Sequence, residues 1–410
     1  MYPGSEALPP GIEPETTPSA SDLILSYLES LEVDYLFGIP GGAIEPLYDA
    51  LARRARRNGI TSVVARHETG AALMAEGYAR NTGRLGVCCA TTGPGATNLI
   101  TGVASAFENR VPLLAITAQT ALDSFGQGAF QDSSDIAVNT VGMFAHCTHF
   151  NSLISHSNQL EHKLATAVMT AFNCRGPAHL SIPRDLLKSE IESSSLQYEL
   201  ASLLSPRCWL DKPSVQEFIR LLTDRKSVVF VIGGGCEEAA GSILRTAITL
   251  NAKIVTTANG KGLINPFHPL YRGVTGFAGH QSATDVLEDP DVDLVVTIGN
   301  ILGEWGIGPW ANQVDQNKLL VHVDALDNNL ARTPMARLHV RADLKRQITE
   351  AGGPNFGHRA AHRDVVNGRL RRLNEWRSKQ RNGHECRAQR SRRNHPSLSC
   401  HWTLGMPERW

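Results

Sequence analysis

Short apolar runs that end in glycine-rich turns recur through the first half of the chain, and they restrict its fold more than any other feature. Asp34-Tyr-Leu-Phe-Gly-Ile-Pro, Thr61-Ser-Val-Val-Ala, Leu85-Gly-Val-Cys-Cys-Ala-Thr and Pro112-Leu-Leu-Ala-Ile-Thr each have the length and composition of a strand. Between them the apolar residues fall at helical spacing. A first helix opens at Ser21 or Asp22 and carries Leu23, Ile24, Tyr27, Leu28 and Leu31 on one stripe. A second carries Ile44, Leu47, Tyr48 and Leu51, a third is the alanine-rich segment Glu68 to Arg80, and a fourth runs to Phe107. Strands alternating with helices predict parallel βαβ units, and near-continuous apolar strands predict a sheet covered on both faces. Ala178-His-Leu-Ser-Ile reads as the last strand of this domain, which is placed at residues 21–187.

A Ser-rich linker is expected at residues 188–212. A second α/β pattern then begins, with strands at Val228-Val-Phe-Val-Ile, Lys253-Ile-Val-Thr-Thr, Asp293-Leu-Val-Val-Thr-Ile and Leu319-Leu-Val-His-Val-Asp, and a helix from Ala239 to Leu250. This domain is placed at 213–351. The fold class expected is α/β: two doubly wound parallel-sheet domains, the second Rossmann-like, preceded by a disordered arm at 1–20 and followed by an irregular basic tail at 352–410. From Asn355 onward the tail holds thirteen Lys/Arg against four Asp/Glu, while the whole chain has no formal net charge. Apolar periodicity fades there, so the tail is read as disordered or as the product of a shifted reading frame or truncated gene. Zero net charge gives no ground for a nucleic-acid or anionic-membrane partner. No apolar run approaches the roughly 18 residues of a membrane span. The first residues lack the basic and apolar regions of a secretory signal, so a cytoplasmic location is expected. None of the eight cysteines forms a Cys-x-x-Cys pair, which argues for buried free thiols.

In open parallel sheets, ligands sit beyond the carboxyl ends of the strands. Here those ends carry Gly38-Ile-Pro-Gly-Gly, His67-Glu68-Thr-Gly and Thr91-Thr-Gly-Pro-Gly-Ala-Thr-Asn98. One such turn alone only permits a tight change of direction. In this order and spacing, the three resemble the pyrimidine-binding domain of thiamine-diphosphate enzymes, acetolactate synthases most closely. The matching strings are Phe37-Gly-Ile-Pro-Gly-Gly, Arg66-His-Glu-Thr-Gly-Ala-Ala, Thr92-Gly-Pro-Gly-Ala-Thr-Asn-Leu, Val111-Pro-Leu-Leu-Ala-Ile-Thr, Ala129-Phe-Gln-Asp and Gly176-Pro-Ala-His-Leu-Ser-Ile-Pro-Arg-Asp. The resemblance runs over about residues 22–345.

The resemblance implies that Glu68 is catalytic. In the family, the equivalent glutamate bonds N1′ of the cofactor's aminopyrimidine and favours the imino tautomer that removes the thiazolium C2 proton. Ala71, Ala72 and Met74 are expected to enclose the carboxyl. Gly38, Pro40, Gly41, Gly42, Thr92, Gly93, Pro94, Gly95 and Asn98 are implied to bind the cofactor, and Phe130 and Gln131 to line the substrate side. A lysine often found further on in the family has no counterpart in Met143-Phe-Ala-His-Cys-Thr-His. His67 and His146 are read as structural. The second domain resembles the family's middle domain, which in biosynthetic acetolactate synthases binds FAD. Gly233, Gly234, Gly235, Gly276 and Asp324 are its candidate FAD residues, although the turn is not Gly-x-Gly-x-x-Gly.

The family holds Mg²⁺ and the diphosphate in a third domain marked by Gly-Asp-Gly, a string absent from these residues. The expectation is therefore a chain with the pyrimidine half of a thiamine diphosphate site and no Mg²⁺ ligands, inactive alone. The resemblance further implies a small 2-oxo acid substrate, a carboligase reaction and a homodimer or tetramer. Two alternatives stay open. One is another thiamine-diphosphate-dependent 2-oxo acid decarboxylase or lyase, and the other is a non-catalytic nucleotide-binding or interaction protein.

Overall fold

The computed structural model describes residues 18–191, 196–204, 211–303 and 318–342. The chain divides into two compact units, Met1–Arg207 and Cys208–Trp410, each with its own six-stranded sheet. The expected basic tail lies outside the described residues.

Unit one contains β1 (Tyr35–Gly38), β2 (Thr61–Val64), β3 (Gly86–Ala90), β4 (Leu113–Gln119), β5 (Phe150–Leu153) and β6 (Pro177–Pro183). Its helices are α1 (Ala20–Ser30), α2 (Glu45–Ala55), α3 (Glu68–Thr82), α4 (Pro94–Glu108), α5 (Thr140–Phe144), α6 (Leu160–Asn173), α7 (Arg184–Lys188) and α8 (Leu200–Leu203). All strand pairs are parallel, in the order β2-β1-β3-β4-β6-β5. Every residue of β3, β4 and β6 is buried. Their side chains alternate between faces. Leu114, Ile116, Leu180 and Ile182 meet residues of α1, α2 and α6, whereas Cys88, Ala90, Leu113 and Ala115 meet those of α3 and α4. The sheet is thus covered on both sides, as the apolar runs predict. β5, a half-buried edge strand of sequence Phe-Asn-Ser-Leu, was not anticipated because it carries no apolar run.

Two expected boundaries move. Ser19 caps α1: its hydroxyl accepts from Asp22 N (3.2 Å) and its own N donates to Asp22 Oδ2 (3.0 Å). Pro18 and Ser19 also join the segment near Glu190 through Ile191 N to Pro18 O (2.9 Å) and a Ser19–Glu190 bridge. The arm expected at 1–20 therefore gives way to ordered chain by residue 18. The expected linker at 188–212 is part of unit one over residues 196–204. Leu200 is buried in its core, and Tyr198 N donates to Tyr27 Oη (3.1 Å).

Unit two contains α9 (Lys212–Thr223), β7 (Val228–Ile232), α10 (Ala240–Leu250), β8 (Lys253–Thr256), β9 (Tyr271–Val274), α11 (Gln281–Glu288), β10 (Leu294–Ile298), β11 (Leu319–Asp324), α12 (Asp327–Leu330) and β12 (Leu338–Arg341). Its parallel strands run β12-β11-β10-β7-β8-β9, which counted from β7 is the 3-2-1-4-5-6 order of dinucleotide-binding sheets. Among the described residues no helix is long and apolar enough to cross a membrane. Cys88, Cys89, Cys147 and Cys236 are buried free thiols as expected, but Cys174 is exposed.

A single buried imidazole joins three strands of unit one. His179 stacks on Phe144 (centroids 3.9 Å apart), with Nε2 2.8 Å from Thr117 Oγ1 and Nδ1 2.7 Å from Asn151 Oδ1. Burial pushes its pKa down to about 3. The folded state then refuses a proton that the unfolded chain takes up below about pH 6.5. The contribution is fully present above that pH and lost as pH falls towards 3. Between about pH 6.5 and 5, where ordinary carboxylates stay ionised, unit one should lose about 2 kcal/mol. Denaturant titrations across this range check the slope. His179→Gln should flatten it, and an unchanged slope would contradict the assignment.

Candidate active site

The strand order places a crevice in unit one. From β1 the chain steps to β2 on one side and to β3 on the other, and ligands bind where a parallel sheet reverses in this way. The turns after β1 and β3 flank that crevice. They meet at Thr91: a Cβ on Gly41 would lie 2.7 Å from Thr91 Cβ, and one on Gly95 2.8 Å from Thr91 Cγ2. Ala43 N donates to Thr91 Oγ1 (3.4 Å). Gly42 is exposed, with open space where a side chain would stand. Thr91 was not singled out from sequence, because a threonine at a strand end carries no signal until its neighbours are known to be glycines in space.

Glu68 is the first residue of α3 and is half-buried. Its Oε2 accepts from Asn98 Nδ2 (3.0 Å). Thr69 Oγ1 returns a bond to Asn98 O (2.6 Å), so the start of α3 and the first turns of α4 are fastened twice. Oε1 lies 3.5 Å from the position of a Cβ on Gly95 and thus faces space that any other residue would fill. The helices approach closely because of Gly102, whose Cβ would fall 2.5 Å from Ala72 Cβ and 2.9 Å from Thr69 O. The expected enclosure of Glu68 needs correcting. Ala71 and Ala72 are buried in the core, but Met74 is exposed, since only positions three and four apart share a helix face. Asn98 and Gly95, and not Met74, complete the surroundings of Glu68. His67 Nδ1 accepts from Thr69 N (3.2 Å) and caps α3, a structural role. His146 is exposed.

Gly93 begins α4 with φ +63° and ψ −124°, a conformation that suits glycine. A Cβ there would lie 2.9 Å from Gln131 Cβ, so Gln131 is brought beside Thr92 and Gly93. Pro94 and Pro40 are exposed. Gly38 and Phe130 do not join the others. Gly38 is packed under Cys89 and Tyr48, where a Cβ would lie 2.6 Å from Cys89 O, and Phe130 is 86% exposed on its loop. A cavity of about 640 Å³ opens at the opposite end of the sheet, lined by Glu29, Glu32, Asp34, Arg54, Arg57 and Asn58. Its walls satisfy one another, as in the Arg54–Glu29 pair (2.7 Å), and it stands at strand amino ends, where this fold does not place ligands.

The residues of the crevice suit a flat heteroaromatic ring with a proton to share. One carboxylate oxygen is held, the other is uncovered, and three glycines leave the space. Among the described residues no group of three or more His, Cys, Asp or Glu is placed to hold a metal ion.

The candidate FAD residues of unit two are arranged differently from expectation. The N–H groups of Gly233, Gly235 and Cys236 donate to Ile298 O (2.9 Å), Gly299 O (2.9 Å) and Gly233 O (3.2 Å). A Cβ on Gly233 would meet Gly299 O at 2.2 Å. Gly234 packs beside Asn259, and Gly276 takes φ +97° in the loop after β9. Asp324 is buried and its Oδ1 accepts from Leu326 N (2.9 Å) and Asn329 Nδ2 (3.1 Å). A pyrophosphate cradle needs free N–H groups, and three of those in this turn are used within the protein. These residues as placed do not fit FAD.

Comparison with known proteins agrees with the two-domain fold. Residues 18–138 match the model of the thiamine pyrophosphate enzyme N-terminal TPP binding domain, and 215–351 that of the thiamine pyrophosphate enzyme central domain. The chain belongs to the thiamine pyrophosphate enzyme family. It is 31% identical over 344 residues to a probable acetolactate synthase large subunit of Methanococcus aeolicus, covering 81% of this chain and 54% of that protein. It is 32% identical over 342 residues to the acetolactate synthase large subunit of Lactococcus lactis (82% and 57%), and 35% over 290 residues to that of Corynebacterium glutamicum (70% and 45%). The chain spans about half the length of the curated relatives it matches. Glu68, Gly93, Asn98 and Gln131 all fall within the span matched by the N-terminal domain model.

Two substitutions test the geometry. Gly93→Ala should cost at least about 2 kcal/mol, because it forces both a strained φ and a clash with Gln131. Gly233→Ala should lower the melting temperature of unit two whether or not flavin is present. A variant that melts normally and changes only flavin retention would show that the turn is a ligand site.

Proposed function

We propose that the protein is an acetolactate-synthase-like, thiamine-diphosphate-dependent carboligase, which decarboxylates pyruvate and passes the two-carbon unit to a second 2-oxo acid. The observation that carries this reading is Glu68: one oxygen is anchored by Asn98 and the other is open beside Gly95, at the reversal point of the sheet. The similarity to acetolactate synthase large subunits supports the substrate class.

When bound, thiamine diphosphate supplies the carbon nucleophile. Glu68 Oε1 holds a proton at the aminopyrimidine N1′, and Asn98 keeps the carboxyl turned towards it. Gly41, Gly42 and Gly95 leave room for the ring. Thr92 and Gly93 shape the wall that carries Gln131, whose amide faces the 2-oxo acid. This reading asks nothing of the described residues in holding Mg²⁺ or diphosphate. It includes association into a homodimer or tetramer, which the exposed Val64, Leu73 and Met74 support.

The test follows the exchange of the thiazolium C2 proton for deuterium by proton NMR, with Mg²⁺ present. The chain alone is expected to be inactive, so the diphosphate-binding domain of a relative is added in trans. With it, exchange should be at least about a hundredfold faster than in free cofactor, and Glu68→Gln should abolish the gain. Equal rates with and without the carboxylate would remove Glu68 from the mechanism. With pyruvate added, acetolactate marks a carboligase and acetaldehyde a decarboxylase.

A further inference from the structure

Beneath the Phe130–Ser133 loop lies a polar relay that the pyrimidine site does not use. Gln119, the last residue of β4, is fully buried. Its Oε1 accepts from Thr120 N (3.1 Å) and Ser133 N (3.1 Å) and is 3.2 Å from Thr92 Oγ1. The two backbone donors fix the orientation of the amide, because a flipped side chain would set its NH₂ against them. Gly93 N donates to Ser133 Oγ (2.7 Å). Ser133 Oγ is 2.8 Å from Thr92 Oγ1, and Thr92 Oγ1 donates to Gln131 O (2.9 Å). Each hydroxyl has one proton, and Ser133 Oγ also lies 3.2 Å from the Gln131 carbonyl oxygen, so the protons can be placed in two ways; the shorter contacts favour one. It runs from Gly93 N–H to Ser133, from Ser133 O–H to Thr92, and from Thr92 O–H to the Gln131 carbonyl.

The relay ends on a strained residue. Gln131 has φ +58°, in the left-handed region that non-glycine residues avoid. Such a conformation persists only where the surroundings over-determine it, and it gathers at ligand sites. Here the carbonyl is held by Thr92, and Cβ fills the space left by the missing side chain of Gly93. Core packing gives no reason for the glutamine at 119. Its Nε2 is buried with no protein partner, so an apolar residue of the same size would cost less to bury. What an apolar residue lacks is the acceptor that fixes Ser133 and the end of β4.

We propose that Gln119 and Ser133 are positioning residues, acting through Thr92 to lock Gln131 in its left-handed conformation against Gly93 and so fix where its side chain meets a bound 2-oxo acid. The proposal rests on the reading of the Glu68 crevice as the aminopyrimidine site. Because Gly93 is also the N-cap of α4, which carries Gly95 and Asn98, the lock joins the substrate side to the surroundings of Glu68.

The experiment uses the full chain and the variants Ser133→Ala, Gln119→Met and Ser133→Thr. The first readout needs no ligand: amide hydrogen exchange at Gly93, with strands β3 and β6 of the same unit as the folding control. Ser133→Ala and Gln119→Met should each speed Gly93 exchange about tenfold, the loss expected for one hydrogen bond. Ser133→Thr should keep the wild-type rate. The second readout is pyruvate affinity by calorimetry with thiamine diphosphate present, for Ser133→Ala, Gln131→Ala and the double variant. A residue that acts through Gln131 adds nothing once Gln131 is gone, so the double variant should bind as Gln131→Ala does. Unchanged exchange at Gly93, or losses that add, would overturn the proposal. If thiamine diphosphate and pyruvate fail to bind even with the diphosphate-binding domain of a relative added in trans, the reading of the crevice fails, and the exchange rates still decide whether Gln119 and Ser133 hold the loop. Should Ser133→Ala not fold, Gln119→Met gives the same decision.

Discussion

The close crossing of α3 and α4 is the contact on which the site depends. Glu68 sits at the exposed start of a helix, where a side chain would otherwise be free to move. It is fixed because α4 comes near enough for Asn98 to reach it, and α4 comes that near because residue 102 is glycine and α3 presents Ala72. Glu76, buried between Ser105 Oγ (2.8 Å) and Asn109 Nδ2 (2.8 Å), repeats the fastening two turns further along. Small residues set the distance and polar pairs set the register. A larger side chain at 102 would separate the helices and release the carboxyl before touching any chemistry.

The two sheets use glycine turns at equivalent reversal points for different ends. In unit one, Gly41 and Gly95 close on the small side chain of Thr91, and the space beside Gly42 stays open. In unit two, Gly233 and Gly235 close on the backbone of Gly299, and the N–H groups of Gly233, Gly235 and Cys236 are already bonded. Strand order alone does not separate these cases, because order fixes where a crevice lies and not whether it is filled.

Much of this was legible in the sequence. The apolar strands β3, β4 and β6 declared themselves, since they are buried on both faces. Edge strands β5, β9 and β12 did not, being half-buried and carrying polar residues. The string around Glu68 pointed to its chemistry, but sequence placed Met74 over the carboxyl, where the packing of α4 on α3 brings Asn98 and Gly95. Gly38 read as a ligand contact, and the position of a Cβ there is packed against Cys89 and Tyr48. Thr91, Gln119 and Ser133 gave no signal, because each works through a partner distant along the chain, as in the Ser133 Oγ bond from Gly93 N. Local pattern reveals periodicity and turns; it does not reveal which turns meet.

The most direct measurement is a crystal structure of the chain soaked with thiamine diphosphate. The account predicts the pyrimidine ring beside Gly42 and Gly95, with N1′ within hydrogen-bond distance of Glu68 Oε1. A ring bound instead in the cavity beside Arg54 and Arg57, or one in the crevice with N1′ turned from Glu68, would contradict it.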